Sequence, residues 1–118
     1  MMALTMGAIV MDSSDALRLG EFWSAALDRP LDEGASEEFA SIGLKEPGGQ
    51  SWMFAKVPEP KVAKNRAHPD FSAEDREAEV ERLVGLGASV VADHDESGVR
   101  WTVLQDVQGN EFCVAGQH

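Results

Sequence analysis

An α+β fold is predicted for this chain, made of two βαβββ modules whose strands form a cupped mixed sheet. Three observations predict it. The order strand, helix, strands runs up to Val57 and begins again after Arg66. A proline-bracketed segment, Val57-Pro58-Glu59-Pro60-Lys61, stands between the two runs, near the midpoint. Each helix-like stretch follows a short polar cluster suited to capping. The chain reads as one domain of 118 residues, with a first module over about 4–57, a linker over 58–66 and a second module over about 67–115.

The first module opens on Leu4 to Met11, a β-prone run ended by Asp12-Ser13-Ser14-Asp15. Ser14 or Asp15 can cap a helix by accepting from its first free N–H groups. Leu19, Phe22, Trp23, Ala26 and Leu27 then recur at spacings of three and four, which makes one apolar helical face. Pro30 is expected to stop that helix. Residues 31–38 are acidic and contain glycine, so they form a loop or a weak edge strand. Phe39 to Leu44 alternates as a strand with one buried face, and Glu46-Pro47-Gly48-Gly49 is a turn by composition. Trp52 to Val57 is the next strand.

The second module repeats this order. Ala67 to Phe71 is a short strand carrying His68, and Pro69 removes a strand N–H, so this segment lies at a sheet edge, at a bulge, or is irregular. Residues 72–75 cap a helix whose apolar positions are Val80, Leu83, Val84 and Leu86, and Gly87 ends it. Ser89 to Ala92 is a strand and Asp93 to Gly98 a polar turn. Arg100 to Gln105 and Glu111 to Ala115 form a hairpin across Asp106 to Asn110. Two such units can bury their bare sheet faces around a shared cavity.

Composition narrows the function. Apolar residues make up 43% and charged residues 26%, ordinary for a globular protein. Ten basic against 21 acidic residues leave a net charge of −11, which repels phosphate backbones and anionic membranes. No nucleic-acid or membrane role is expected. Cys113 is the only cysteine, so no intramolecular disulfide can form, and a reducing cytoplasm fits. The apolar run from Met1 to Met11 lacks Lys and Arg and is too short to span a bilayer, so it reads as a strand rather than a leader.

With these residues placed, the chain resembles the vicinal oxygen chelate superfamily, which includes glyoxalases, bleomycin-resistance proteins and extradiol dioxygenases. The resemblance rests on the element order, His68, and the hairpin Asp106 to Asn110 followed by Glu111-Phe112-Cys113-Val114. Val57-Pro58-Glu59-Pro60-Lys61, Lys64-Asn65-Arg66, His68, Asp70 and Arg100-Trp101-Thr102-Val103-Leu104 are similar to a bacterial branch of small glyoxalase-like proteins. It implies the paired βαβββ modules, frequent dimers, and a small organic molecule as partner. In metal-dependent members it implies four side chains holding a divalent ion that acts as a Lewis acid. Those four positions fall here on Ala8, at or beside Ala55, on His68 and on Cys113. Two of them carry no donor, so no cofactor is expected, and a divalent metal is the less favoured alternative.

The leading expectation is therefore a cytoplasmic, dimeric, small-molecule-binding protein without the usual metal site. Whether it is an enzyme stays open. One alternative is a metal-dependent lyase, isomerase or dioxygenase of the same superfamily, and another is a drug-sequestering protein like the bleomycin-resistance members. His68 is read as a cavity base or hydrogen-bond donor, with a structural histidine satisfied by Asp70 as the competing reading. Glu111 is a second candidate base or else a solvated strand end. Trp52, Arg66, Trp101 and Cys113 are candidate ligand contacts. Against this, tryptophans on core strands commonly serve packing, a buried thiol is usually inert, and Asn65 with Arg66 can simply pin the linker. His94 falls in an acidic turn and carries no functional expectation.

Overall fold

In the computed structural model, which describes residues 3–46 and 48–116, both polar clusters open helices. The chain divides into two compact units, residues 1–60 and 61–118. Pro47 of the glycine turn, and His118, lie outside the described residues.

In the first unit Asp15 accepts from Arg18 N at 3.1 Å and caps α1 (Ala16–Leu27). The helix ends at Asp28, which is left-handed at φ 53° and returns its N–H to Ser24 and Ala25 carbonyls. Pro30 therefore follows the stop instead of making it. Helix α1 packs on β2 (Phe39–Ile42) and β3 (Trp52–Lys56), while β1 (Ile9–Ser13) pairs parallel with β3 on its other edge. The buried contents are the expected helix residues Leu19, Phe22 and Trp23, with Ala40, Ile42, Trp52 and Phe54 from the strands. Trp23 and Trp52 stack at 5.1 Å with planes 22° apart. Gly20 lets the helix come this close, since a Cβ there would stand 3.0 Å from Leu31 and 3.1 Å from Ala40.

Three expectations change in this unit. The first strand begins at Ile9 rather than Leu4, because its ladder partner starts at Trp52, and Leu4 and Met6 are exposed. Residues 31–38 take the loop form of the two expected for them, so this unit is βαββ with a three-stranded sheet, one strand short of the expected βαβββ module. Asp32 instead ties that loop back, accepting from Ser41 Oγ at 2.7 Å and from the Gly43 and Leu44 N–H groups. The Ser41 hydroxyl, with these N–H groups, holds its carboxyl below the usual range. Finally, β2 does not alternate: Ala40, Ser41 and Ile42 are all buried. Ser13, at the end of β1, has a buried hydroxyl that finds no hydrogen-bond partner among the described residues. Such a group costs roughly 1–3 kcal/mol. Ser13→Ala is expected to raise the thermal midpoint, a gain readable by calorimetry.

In the second unit Asp75 accepts from Ala78 N and caps α2 (Arg76–Gly85), and Gly87, at φ 119°, follows its C-cap Leu86. The sheet runs β4 (Asp70–Ala73), β7 (Glu111–Gly116), β6 (Val99–Gln105), β5 (Ser89–Glu96). As in the first unit, the first strand pairs parallel with the last, and the strand before the last is antiparallel to it. This shared pairing gives the repeated element order a common topology. Leu104, Phe112 and Val114 are buried with Leu83 of α2, whereas Val84 and Leu86 are partly exposed.

Two stretches differ from expectation here. β5 runs on through Asp93 to Glu96, where a polar turn was expected, and only Ser97 and Gly98, both with positive φ, make the turn into β6. Charged side chains sit comfortably along β5 because it is an edge strand. His68 lies just ahead of β4 rather than on it. Pro69 precedes the edge strand, as its missing N–H requires, and its carbonyl accepts from Cys113 N at 3.0 Å. On the helix side, Arg76 Nη1 donates to Thr102 Oγ1, which donates to Asp93 Oδ1, both at 2.6 Å. Thr102 is almost wholly buried, so Thr102→Val removes both short bonds, leaves Arg76 and Asp93 only their 3.5 Å ion pair, and is expected to cost about 1–3 kcal/mol in denaturant unfolding.

Candidate functional site

The face of the second sheet opposite Phe112 and Val114 carries Trp101, Val103, Gln105, Glu111, Cys113 and Ala115, set by the two-residue period of β6 and β7. Two hollows lie on it. One, of about 360 Å³, is lined among others by His68, Asp70, Ser72, Trp101, Cys113 and Ala115. The other, of about 470 Å³, lies where residues 61–64 run past Gln105, Gln108 and Glu111.

Parallel pairing of β4 with β7 sets Asp70 opposite Cys113, and the Pro69 carbonyl anchors the residue between Asp70 and His68 to the same strand. Three side chains therefore converge. His68 Nδ1 stands 3.9 Å from Cys113 Sγ and 3.8 Å from Asp70 Oδ1, and the donor atoms of the three residues all lie within 4.8 Å of one another. Burial, and after it the Asp70 carboxylate, pushes the Cys113 thiol up. The group is a thiol at neutral pH, which argues against an activated nucleophile. Both neighbours also approach the same imidazole nitrogen. A base relay would use one nitrogen for each partner. Trp101 forms the wall beside them, backed by His94, whose ring stacks on it at 4.9 Å with planes 21° apart.

Glu111 is neither a solvated strand end nor a poised base. It is 5% exposed, accepts from Lys61 Nζ at 2.9 Å and from Asn65 N at 2.8 Å, and is thereby held ionised. Burial alone would raise its pKa, but the Asn65 N–H and the Lys61 ammonium outweigh it and bring the carboxyl to about 2. A carboxylate this weakly basic takes up no proton at neutral pH. Asn65 adds a bond from Nδ2 to Asn110 Oδ1 at 3.2 Å, so the linker is pinned to the hairpin.

The sequence candidates thus part company. His68, Trp101 and Cys113 meet at one hollow, and Glu111 borders the other with its carboxylate already paired. Trp52 is not a pocket wall, because it is 3% exposed and stacked on Trp23 in the first unit's core. Arg66 is exposed and lines neither hollow. Asp70, weighed only as a partner for His68, belongs to the cluster, and its spacing two residues after His68 was the available signal. His94, read as part of a turn, supports Trp101 from a strand.

Helix-backed sheets whose first and last strands pair in parallel agree with the fold expected from the vicinal oxygen chelate resemblance, and the family match places the protein in that superfamily. The model of the glyoxalase-like domain family matches residues 8–115, and the chain belongs to that family. Solved structures share the fold. A fosfomycin resistance protein from Listeria monocytogenes, complexed with manganese(II) and a dihydroxypropylphosphonic acid, superposes with a TM-score of 0.78 at 13% identity, covering 98% of this chain and 93% of that one. A glyoxalase/bleomycin resistance protein/dioxygenase family enzyme from Burkholderia phytofirmans gives 0.75 at 15%, covering 96% and 98%. The bleomycin-binding protein of Streptomyces verticillus, complexed with copper(II)-bleomycin, gives 0.65 at 17%, covering 100% of both. A search of curated protein sequences finds no match.

The four positions that the superfamily resemblance implied for a divalent ion hold alanine at Ala8 and Ala55, histidine at His68 and a thiol at Cys113. Ala8 and Ala55 carry no donor atom, and Cys113 offers sulfur where an oxygen ligand was implied. Magnesium and manganese prefer oxygen-rich sets. Among the described residues no helix is long and apolar enough to cross a membrane.

Proposed function

We propose that this glyoxalase-like domain binds a small organic molecule in the hollow beside His68, without the superfamily's usual hard-ion site. The observation that carries the reading is the convergence of an aromatic wall, Trp101, with three polar groups, His68, Asp70 and Cys113, at one concave site. Small-molecule sites combine apolar lining with a few convergent polar groups in this way. Trp101 supplies stacking area, and the imidazole of His68 donates or accepts a hydrogen bond. The Asp70 carboxylate favours a ligand with a cationic or hydrogen-bond-donating edge. The fold neighbours that hold a phosphonic acid and copper-bleomycin support the choice of small organic molecules as the ligand class.

A thermal-shift screen of planar cationic drugs and small α-keto compounds, followed by calorimetry on any hit, tests this. Trp101→Ala is expected to weaken binding about tenfold, the loss of one good aromatic contact. A hit whose affinity survives both Trp101→Ala and His68→Ala would place the ligand elsewhere and end the reading.

Sequestration without chemistry is the second reading, favoured by the net charge of −11 and the exposed Asp70 carboxylate, both suited to a cationic drug. Mass spectrometry of the recovered ligand separates the two. An unaltered ligand after long incubation supports sequestration, and turnover lost in His68→Ala supports an enzyme.

A further inference from the structure

We propose that His94 sets the charge preference of the hollow beside Trp101, by gaining or losing a proton against the back of that tryptophan. Geometry is the first argument. His94 and Trp101 stand directly opposite each other on β5 and β6, and their rings stack at 4.9 Å with planes 21° apart. Across the other ladder Trp101 stands opposite Ala115 of β7, which lines the hollow with it. His94 is thus one strand behind the wall and lines neither hollow itself. A molecule resting on Trp101 feels the charge of His94 through the indole, without touching the imidazole.

Chemistry is the second argument. An imidazole changes charge between about pH 5 and 8, and its protonated form is drawn to the face of an indole. The same positive charge repels a cation approaching Trp101 and attracts an anion. At about 6 Å in salt solution, one charge changes the local concentration of a small ion nearly twofold. Most charges around His94 are engaged elsewhere. Asp93 accepts from Thr102 and pairs with Arg76 of α2 on the helix side of the sheet, and Asp95 pairs with Arg100 of β6 at 3.9 Å. Glu96, two residues on, shares the face of His94. His68 and Asp70 line the hollow that Trp101 walls. The Asp70 carboxylate suits a cationic ligand, and protonation of His94 works against it. Cationic molecules are therefore held near about pH 8 and released toward about pH 5. Only this consequence for a ligand rests on the proposed function; the coupling of His94 to Trp101 stands without it.

The test reads Trp101 with no organic ligand present. Trp23 and Trp52, the other two tryptophans, are 1% and 3% exposed, so ions in solution report on Trp101. Fluorescence of the full chain is quenched with iodide and, separately, with caesium, at about pH 8 and about pH 5.5 and constant ionic strength. The ratio of the iodide to the caesium quenching constant is expected to rise about threefold at the lower pH. His94→Phe keeps a stacked ring but takes no proton, and should remove most of that rise. His68→Gln should keep most of it. A wild-type ratio that does not change with pH overturns the proposal. So does a His94→Phe protein that retains as much of the rise as His68→Gln, because the charge then belongs to the hollow. Should a variant fail to fold, proton NMR of the wild type decides. The Trp101 indole N–H must shift along the titration curve of His94, and a shift that follows His68 instead overturns the proposal. Failure here leaves ligand binding in the hollow standing, because that is measured by affinity and by its loss in Trp101→Ala.

Discussion

Glu111→Gln is expected to lower stability by about 2–3 kcal/mol at neutral pH, although it changes no shape. The carboxylate is almost fully buried and takes two donors from the linker, Lys61 Nζ and Asn65 N. Its pKa falls from 4.5 to about 2, a displacement carrying roughly 3 kcal/mol of linked stability. Glutamine resembles the protonated carboxyl, so it forfeits most of that and leaves a half-buried ammonium without its ion partner. The sign follows from the depressed folded-state value. The stabilisation is complete above the unfolded pKa, near 4.5, and disappears as pH falls toward about 2. Urea unfolding of both proteins should therefore show a wide gap at pH 7 that closes over this acid window. A gap independent of pH would mean that packing, not charge, holds the linker down.

Trp23→Ala is expected to cost about 3–5 kcal/mol, the range for removing a large buried aromatic. Trp23 is 1% exposed, stacks on Trp52 and meets Phe22 edge-on at 5.3 Å, so the cavity it leaves is walled by rigid rings that cannot easily collapse. Far-UV circular dichroism during thermal unfolding reads the loss. A loss below about 1 kcal/mol would mean that the rings repack.

Elements set by local chemistry were legible in the sequence. Asp15 and Asp75 cap because a carboxylate ahead of an apolar repeat has free N–H groups to satisfy, and Gly87 adopts a positive φ that other residues resist. Pro69, lacking a donor, limited its segment to an edge strand, a bulge or irregular chain, and it stands just ahead of the edge strand β4. What stayed hidden depends on partners far along the chain. Asp93 to Glu96 look like a turn by composition, yet β6 supplies a ladder and the edge position tolerates their charge. Leu4 to Ala8 look like strand, yet nothing pairs with them in the β3 ladder. Trp52 and Trp101 are indistinguishable by sequence pattern. The first faces a helix and the second a hollow, and only the pairing decides which. The grouping of His68, Asp70 and Cys113 likewise needed the register of β4 on β7, which no local rule supplies.

The parallel pairing that creates this grouping also governs when the site can exist. The β6–β7 hairpin closes over a short loop, so Trp101 and Cys113 can be set in place by contacts that are near in sequence. His68 is 45 residues from Cys113 and reaches it only once β4 has docked beside β7, across the length of chain that holds α2, β5 and β6. Contacts with such long sequence separation carry the loop-closure cost and form slowly. The thiol should therefore stay open to reagents through early refolding and gain protection in the slowest phase, which makes Cys113 a built-in clock for completion of the second sheet.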